Sequence, residues 1–419
     1  MYFYYYMVIY MTSELVILTP SAVALAADSA VTLDNRKIYN GINKLFMLSN
    51  KPPLGIMTYN NTRFLNIPFE TIIKEFRDSI NKSKYPFFNT NFKSLKDFQE
   101  GLNKYLKYII PKSDFKTSFN KKLEDFINNF IPMENLDEDF FQRVVNFIVP
   151  NENLIKEIYE SFAQEDLEKV NNKFKEKTEM YENEENYDLF LKNLVKFFIW
   201  EKFFNNFIGI VIAGFEGDKL FPSCIAYKII YLYDEKFITC DFEENEVSLK
   251  KDGDVIVKSF AQSDVIITFL NSIDLNTKSQ ILNFFNEINS NYANQLIELI
   301  KNNENIDEDS KKEVLNQIIN FNNNNISLNI EFRNFIQTIE NQHVSPILRS
   351  IGALPYEELS NLCESLIKIT SLKRKVQSDL ETVGGDVDVA IITKGDGFIW
   401  TKRKHYFDAN LNHQFFEKK

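Results

Sequence analysis

Histidine, cysteine and glycine are scarce in this chain of 419 residues, and each shortage closes off a class of chemistry. The three cysteines, Cys224, Cys240 and Cys363, share no CxxC spacing, so neither a disulfide framework nor a zinc site is indicated. They read as small buried hydrophobes in a reducing compartment. The three histidines, His343, His405 and His413, all fall late in the chain, which disfavours a His-based triad or a metal cluster. Of the 12 glycines, none forms a phosphate-binding fingerprint after the first strand, so a dinucleotide fold has no support. No cofactor or metal is implied. An excess of positive charge is missing too: the net charge is −11 and the pI about 5.1. That balance argues against nucleic acid, whose binding rests on phosphate neutralisation.

A membrane span is also lacking. The segment "LFLKNLVKFFIWEKFFNNFIGIVIAGF" (189–215) is broken by Lys192, Lys196, Glu201 and Lys202 and reads as a buried helix running into a strand. Residues 1–10, "MYFYYYMVIY", carry no basic n-region and are too short for a secretory signal. The expectation is a cytoplasmic protein with no membrane partner.

What is there is an ordinary globular composition, 44% hydrophobic and 26% charged, with length for one large domain or two to three smaller ones. "ELVILT" and "AVALAAD", then "KLFML" and "LGIMTY", read as strands of an N-terminal β-meander. From about 68 to 206 apolar residues recur three and four apart, as in "PFETIIKEFRDSINK" and "YDLFLKNLVKFFIWEKFF", the helical period. Strands resume at "FIGIVIAGF", "SCIAYKIIYLY" and "KFITCDF", and helices return from about 262 to 372. "VDVAIIT" and "GFIWTKRKHYF" close the chain across a Gly395-Asp396-Gly397 turn. The basic run at 401–407 reads as a solvated strand face or a subunit contact. Alternating blocks of strands and helices predict an α+β layered architecture.

Two charges stand out in the opening strands. Asp28 follows the apolar run "AVALAA", and Lys44 begins the run "LFML". Either they pair in an apolar neighbourhood, where an unpaired charge is very costly, or they sit at strand ends with their heads in solvent. Sixteen residues separate Thr12 from Asp28, and sixteen again separate Asp28 from Lys44.

"AVALAADSAVT", "NKLFMLS" and "GIMTYN" together resemble the opening of proteasome β-type subunits and their bacterial relatives, the N-terminal nucleophile (Ntn) hydrolases. "IVIAGFEGDKLFPSCIAYKI", "FAQSDVIITFL" and "VGGDVDVAIITKGDG" resemble that family's central sheet, its Ser-bearing segment and its closing strands. The likeness covers roughly 12–68, 207–275 and 354–407. It implies a four-layer αββα sandwich with extra helices. Residues 1–11 are then a leader or lie upstream of the true start, and 12–67 carry the first core strands. Residues 68–206 are a helical insertion, 207–275 central strands and a helix, 276–353 a second helical insertion, and 354–419 the last core helix and strands.

The resemblance also implies roles. Thr12 Oγ attacks a carbonyl; Lys44, held by Asp28, lowers the proton affinity of the nucleophile pair; Ser263 orients the amine or its water. A backbone N–H at Asn60 serves the oxyanion. The base is the free α-amine of the first residue, which titrates near 7.7–8.0, so Thr12 acts only where residues 1–11 are absent. The family cuts after glycine, whereas Met11 precedes Thr12 here. A start at Met11 followed by removal of that Met is the simpler expectation. Asn60 stands where the family favours Gly. The second carboxylate falls on Asp379 only with a one-residue bulge, since strict register gives Leu380 and Val383.

The implied activity is peptide or amide hydrolysis by a threonine-type enzyme in homo-oligomers, as rings in the relatives, with an unfolding ATPase as partner. The alternatives are a small-molecule amidase and a catalytically inactive Ntn-fold scaffold or regulatory subunit.

Overall fold

The computed structural model describes residues 12–33, 37–64, 67–81, 92–109, 121–130, 138–146, 164–182, 184–200, 207–231, 237–249, 255–303, 305–323, 326–376, 384–412 and 414. The chain divides into two compact units, one made of 1–261 with 356–419, the other of 262–355.

In the first unit the chain opens with β1 (Ser13–Leu18), β2 (Ala22–Ala27), a small hairpin β3 (Ala30–Leu33) and β4 (Lys37–Asn40), and then β5 (Leu45–Asn50) and β6 (Pro53–Asn60). A two-residue pair, β7 (Arg63–Phe64) and β8 (Ile67–Pro68), leads into helices α1 (Phe69–Asn81) and α2 (Leu95–Ile109). Three further helices, α3 (Glu138–Val145), α4 (Gln164–Lys177) and α5 (Tyr187–Ile199), precede β9 (Ile208–Gly214), β10 (Ser223–Tyr231), β11 (Phe237–Ser248) and β12 (Ile256–Ala261). The second unit is helical: α6 (Asp264–Asn271), α7 (Leu275–Lys301), α8 (Glu308–Asn323) and α9 (Ile326–Gly352). Helix α10 (Tyr356–Val376) and strands β13 (Asp388–Thr393) and β14 (Gly397–Lys402) return to the first unit.

The strands form two five-stranded antiparallel sheets, ordered β12-β1-β2-β13-β14 and β11-β10-β9-β6-β5. The N-terminal strands are therefore not one meander. β1-β2 and β5-β6 are hairpins of different sheets, because the β3-β4 pair between them carries the chain from one sheet to the other.

Side-chain alternation explains what each face covers. In β1, Val16 and Leu18 join Leu25 of β2, Met57 of β6, Val211 of β9 and Ile392 of β13 in one cluster shared by both sheets. In β6 and β9 the other face, with Ile56, Ile208, Ile210 and Ile212, packs with Phe76 of α1 and Leu102 of α2. Both faces of these strands are buried, which is why "IGIVIAG" is an unbroken apolar run. Gly209 has a specific reason: a Cβ there would lie 2.1 Å from the Tyr59 ring. The first sheet is backed by α10, which packs on β1, β2 and β13 and buries Leu359, Cys363, Leu366 and Ile367 at helical spacing. Each such side chain contributes roughly 1.5–3 kcal/mol of burial free energy.

In the second unit, Asp274 caps α7 by accepting the Thr277 N–H at 2.9 Å, and Phe285 stacks on Phe332 of α9 with ring centroids 3.9 Å apart. The half-buried Lys278 pairs with the buried Glu340 at 2.7 Å. Among the described residues no helix is long and apolar enough to cross a membrane.

In the basic run at the end Thr401, Arg403, His405 and Tyr406 are exposed, as the expected solvated face requires, while two of its lysines are tied to carboxyls. Lys404 is 7% exposed and pairs with the buried Asp388, while Lys402 pairs with Glu364 of α10. Arg403 lies 4.4 Å from the Trp400 ring centroid. The strand stops at Lys402, and Lys404 beyond it turns back to the buried Asp388.

Candidate active site

Where β1, β2 and β5 begin or end, four polar side chains meet with no exposure to solvent. Thr12 directly precedes β1, Glu14 is the second residue of β1, Asp28 directly follows β2, and Lys44 directly precedes β5. Thr12 and Glu14 are 0% exposed, Asp28 and Lys44 1%.

Asp28 is the hub. Its Oδ1 accepts the Lys44 ammonium at 2.5 Å and the Ser13 N–H at 3.1 Å; its Oδ2 accepts the Gly384 N–H at 3.1 Å and the Ala30 N–H at 3.3 Å. Four donors on one carboxylate satisfy the group that burial would otherwise penalise. The backbone repeats the clasp: Asp28 N–H donates to the Ser13 carbonyl and Ser29 N–H to the Gly384 carbonyl, both at 3.2 Å. Glycine is required at position 385. Gly385 has φ +72°, and a Cβ on it would fall 2.3 Å from Ser29 Oγ. Lys44 is held from the other sheet, its carbonyl accepting the Thr58 N–H of β6 at 2.9 Å.

Glu14 places a carboxyl on a face that otherwise points into the core. It shares parity with Val16 and Leu18, which lie in the inter-sheet cluster. Its Oε2 accepts the Thr12 hydroxyl at 3.1 Å, and its Oε1 lies 3.9 Å from the Lys44 ammonium with no hydrogen-bond partner among the described residues. Burial pushes the Glu14 carboxyl well above its ordinary range; Lys44 pulls it back in part, Asp28 adds to the rise, and the Thr12 hydrogen bond opposes it.

Of the sequence-predicted residues, Thr12, Asp28 and Lys44 are thus brought together, with Ser13 as the backbone link between Thr12 and Asp28. Asn60 ends β6 in the left-handed conformation, φ +68°, with its amide donating to the Phe207 carbonyl at 2.9 Å. Ser263 belongs to the second unit, where it directly precedes α6 and its carbonyl accepts the Ile267 N–H at 2.9 Å. Asp379 lies outside the described residues. Glu14 was not among the candidates. The signal for it was available, since a carboxylate at the inward-facing position of an otherwise apolar strand needs a polar partner.

Cys224 and Cys363 are inert here: burial pushes the Cys224 thiol up to about 12 and the Cys363 thiol higher still. Among the described residues no group of three or more His, Cys, Asp or Glu side chains is placed to hold a metal ion.

No family model matches the chain, and no curated protein matches it. Solved structures similar to it include Anbu (ancestral beta-subunit) from Yersinia bercovieri, at 8% identity over 97% of this chain and 93% of that one, with a TM-score of 0.30. Another is the helical assembly of the Anbu complex from Pseudomonas aeruginosa, at 9% identity over 97% and 92%, with a TM-score of 0.31. A third is an Anbu (Gly-1) mutant from Hyphomicrobium sp. strain MC1, at 8% identity over 97% of each chain, with a TM-score of 0.30. At these values the likeness is loose.

Proposed function

We propose that the chain is a threonine-dependent amide or peptide hydrolase of the Ntn type, with Thr12 as the nucleophile when it is the first residue. The observation that supports this most directly is the buried Thr12–Glu14–Lys44–Asp28 cluster, which spends three ionisable groups on one hydroxyl. Two stacked sheets between α10 on one side and α1 and α2 on the other are the layers a four-layer αββα sandwich needs.

In this reading Thr12 Oγ attacks the amide carbonyl and forms an ester that water later hydrolyses. Lys44 supplies the positive field that favours the alkoxide, and Asp28 keeps Lys44 charged and in place. Asn60 presents the oxyanion donor, in a left-handed backbone conformation that glycine also adopts. The sequence resemblance assigns Ser263 the orienting of the amine or its water, and Asp379 the place of the second carboxylate. Homo-oligomeric assembly and an ATPase partner belong to the same reading.

One observation favours a second reading. Thr12 is fully buried, so a chain that keeps residues 1–11 is a catalytically silent scaffold. The test is the intact mass and N-terminal residue of the protein expressed from its native gene region, followed by hydrolysis of peptide amides and of short acyl amides. Cleavage by a chain that begins at Thr12, lost in Thr12→Ala, supports the enzyme, and the preferred substrate separates peptidase from amidase. Inertness of a chain with Thr12 free supports the scaffold.

A further inference from the structure

We propose that Glu14 is the general base for Thr12: its carboxylate, 3.1 Å from the Thr12 hydroxyl, takes the proton from Oγ as that oxygen attacks the substrate carbonyl. The inference rests on Thr12 being the nucleophile, and it adds a residue that an α-amine mechanism does not require.

Three observations support it. Glu14 is rigidly placed, since β1 is paired on both sides, with Glu14 opposite Ala27 of β2 and Phe260 of β12. Its Oε1 is buried without a hydrogen-bond partner among the described residues, a cost of about 1–3 kcal/mol that an apolar residue at this inward position would remove. The charged groups acting on it are Lys44, before β5, and Asp28, after β2, while β12 places Phe260 opposite it and Lys258 one pair further along the same face. The balance of burial and those two charges raises the proton affinity of Glu14, which suits a base acting on an alcohol near neutral pH. Asp28, by contrast, is already occupied by Lys44 and three backbone N–H groups.

The step balances without a further reagent. Thr12 Oγ bonds to the carbonyl carbon, its proton moves to Glu14 Oε2, and the carbonyl π pair moves onto oxygen. On collapse the C–N bond breaks, and Glu14 returns the proton to the leaving nitrogen. Water then adds to the ester with Glu14 taking its proton, and that proton passes to Oγ as the acid departs.

The test uses the chain as isolated from its native gene region, before and after acetylation of its α-amine. A small β-lactone is added, and the acyl adduct on Thr12 is followed by peptide mass. Expected is labelling that survives acetylation within about threefold and falls roughly 10²–10⁴-fold in Glu14→Gln, which also loses the acid limb of the pH–rate profile. Circular dichroism checks that the variant folds, and the acetylation arm needs no variant. Labelling of Thr12 before acetylation but not after assigns the base to the α-amine, overturning the role of Glu14 while the nucleophile reading stands. Wild-type labelling rates in a folded Glu14→Gln have the same meaning. No adduct on Thr12 under either condition overturns both.

Discussion

The Lys44 ammonium lies 2.5 Å from Asp28 and 3.9 Å from Glu14, so one buried cation serves two buried carboxyls from the two chain segments at the open end of the β1-β2 hairpin. Lys44 enters from the other sheet, which makes the ion cluster a clamp between the two. Among the described residues, Lys44→Met removes the cation that acts on Glu14 and leaves Asp28 with backbone donors. A loss of about 3–5 kcal/mol in urea unfolding is expected, together with loss of hydrolysis. Lys44→Arg does not restore either, because a planar guanidinium needs more room than a point ammonium at a site with 1% exposure. Unchanged stability in Lys44→Met would mean that the carboxyls are hydrated and the clamp is absent.

Asp28 fixes the backbone that carries Thr12. Asn at this position keeps one acceptor oxygen but turns an NH₂ group toward donors, either Lys44 and Ser13 on one side or Gly384 and Ala30 on the other. Asp28→Asn is expected to cost roughly 1–3 kcal/mol for each donor left unpaired. Hydrogen exchange locates the damage: the Ser13 and Gly384 amides should lose protection, while amides in the middle of β9 and β10 should not. Uniform loss across the sheets would instead place Asp28 in the global core.

Glu14 sets a pH dependence whose sign is fixed by its environment. Burial raises its proton affinity in the folded chain above that in the unfolded chain. Between the ordinary carboxyl range and the raised value the folded state binds a proton that the unfolded state has released, so stability falls as pH rises through that window. Glu14→Gln has no such proton. Its melting temperature should therefore gain on the wild type as pH is raised from the ordinary carboxyl range upward, and the two should converge at acid pH. A difference that is flat with pH would show that Glu14 titrates in the folded chain as it does in the unfolded one.

How much of this was legible beforehand depends on distance along the chain. Asp28 and Lys44 stood out because charge in apolar runs is a local pattern, but that pattern left pairing and solvent exposure open, and the resemblance, with its spacing to Thr12, joined them into one candidate site. The split of the N-terminal strands between two sheets was not legible, because β1 takes its second neighbour from β12, with Ser13 opposite Ala261. Sequence proximity favours the local meander, and nothing in residues 12–60 announces a partner from so far along the chain. Glu14 escaped for a related reason. Its inward parity matters only once the face carrying Val16 and Leu18 is known to be covered by the second sheet. Lys404 escaped because its partner Asp388 lies across a hairpin whose strand ends two residues before it.

Asn60 offers the sharpest separation of backbone strain from side-chain bonding. At φ +68° a residue with a Cβ carries roughly 1–2 kcal/mol of strain, less for Asn, none for Gly. The amide also donates to the Phe207 carbonyl at 2.9 Å, a bond worth about 0.5–1.5 kcal/mol. Asn60→Gly removes the bond but relieves the strain, so its unfolding free energy should stay within about 1 kcal/mol of wild type. Asn60→Val loses the bond and adds the strain of a β-branched side chain, for a combined loss of about 2–3 kcal/mol. Hydrolysis should fall in Asn60→Val with the shift of the N–H that faces the oxyanion in the proposed mechanism. If Val is tolerated as well as Gly, the strand end relaxes out of the left-handed region and Asn60 carries neither the strain nor the oxyanion geometry.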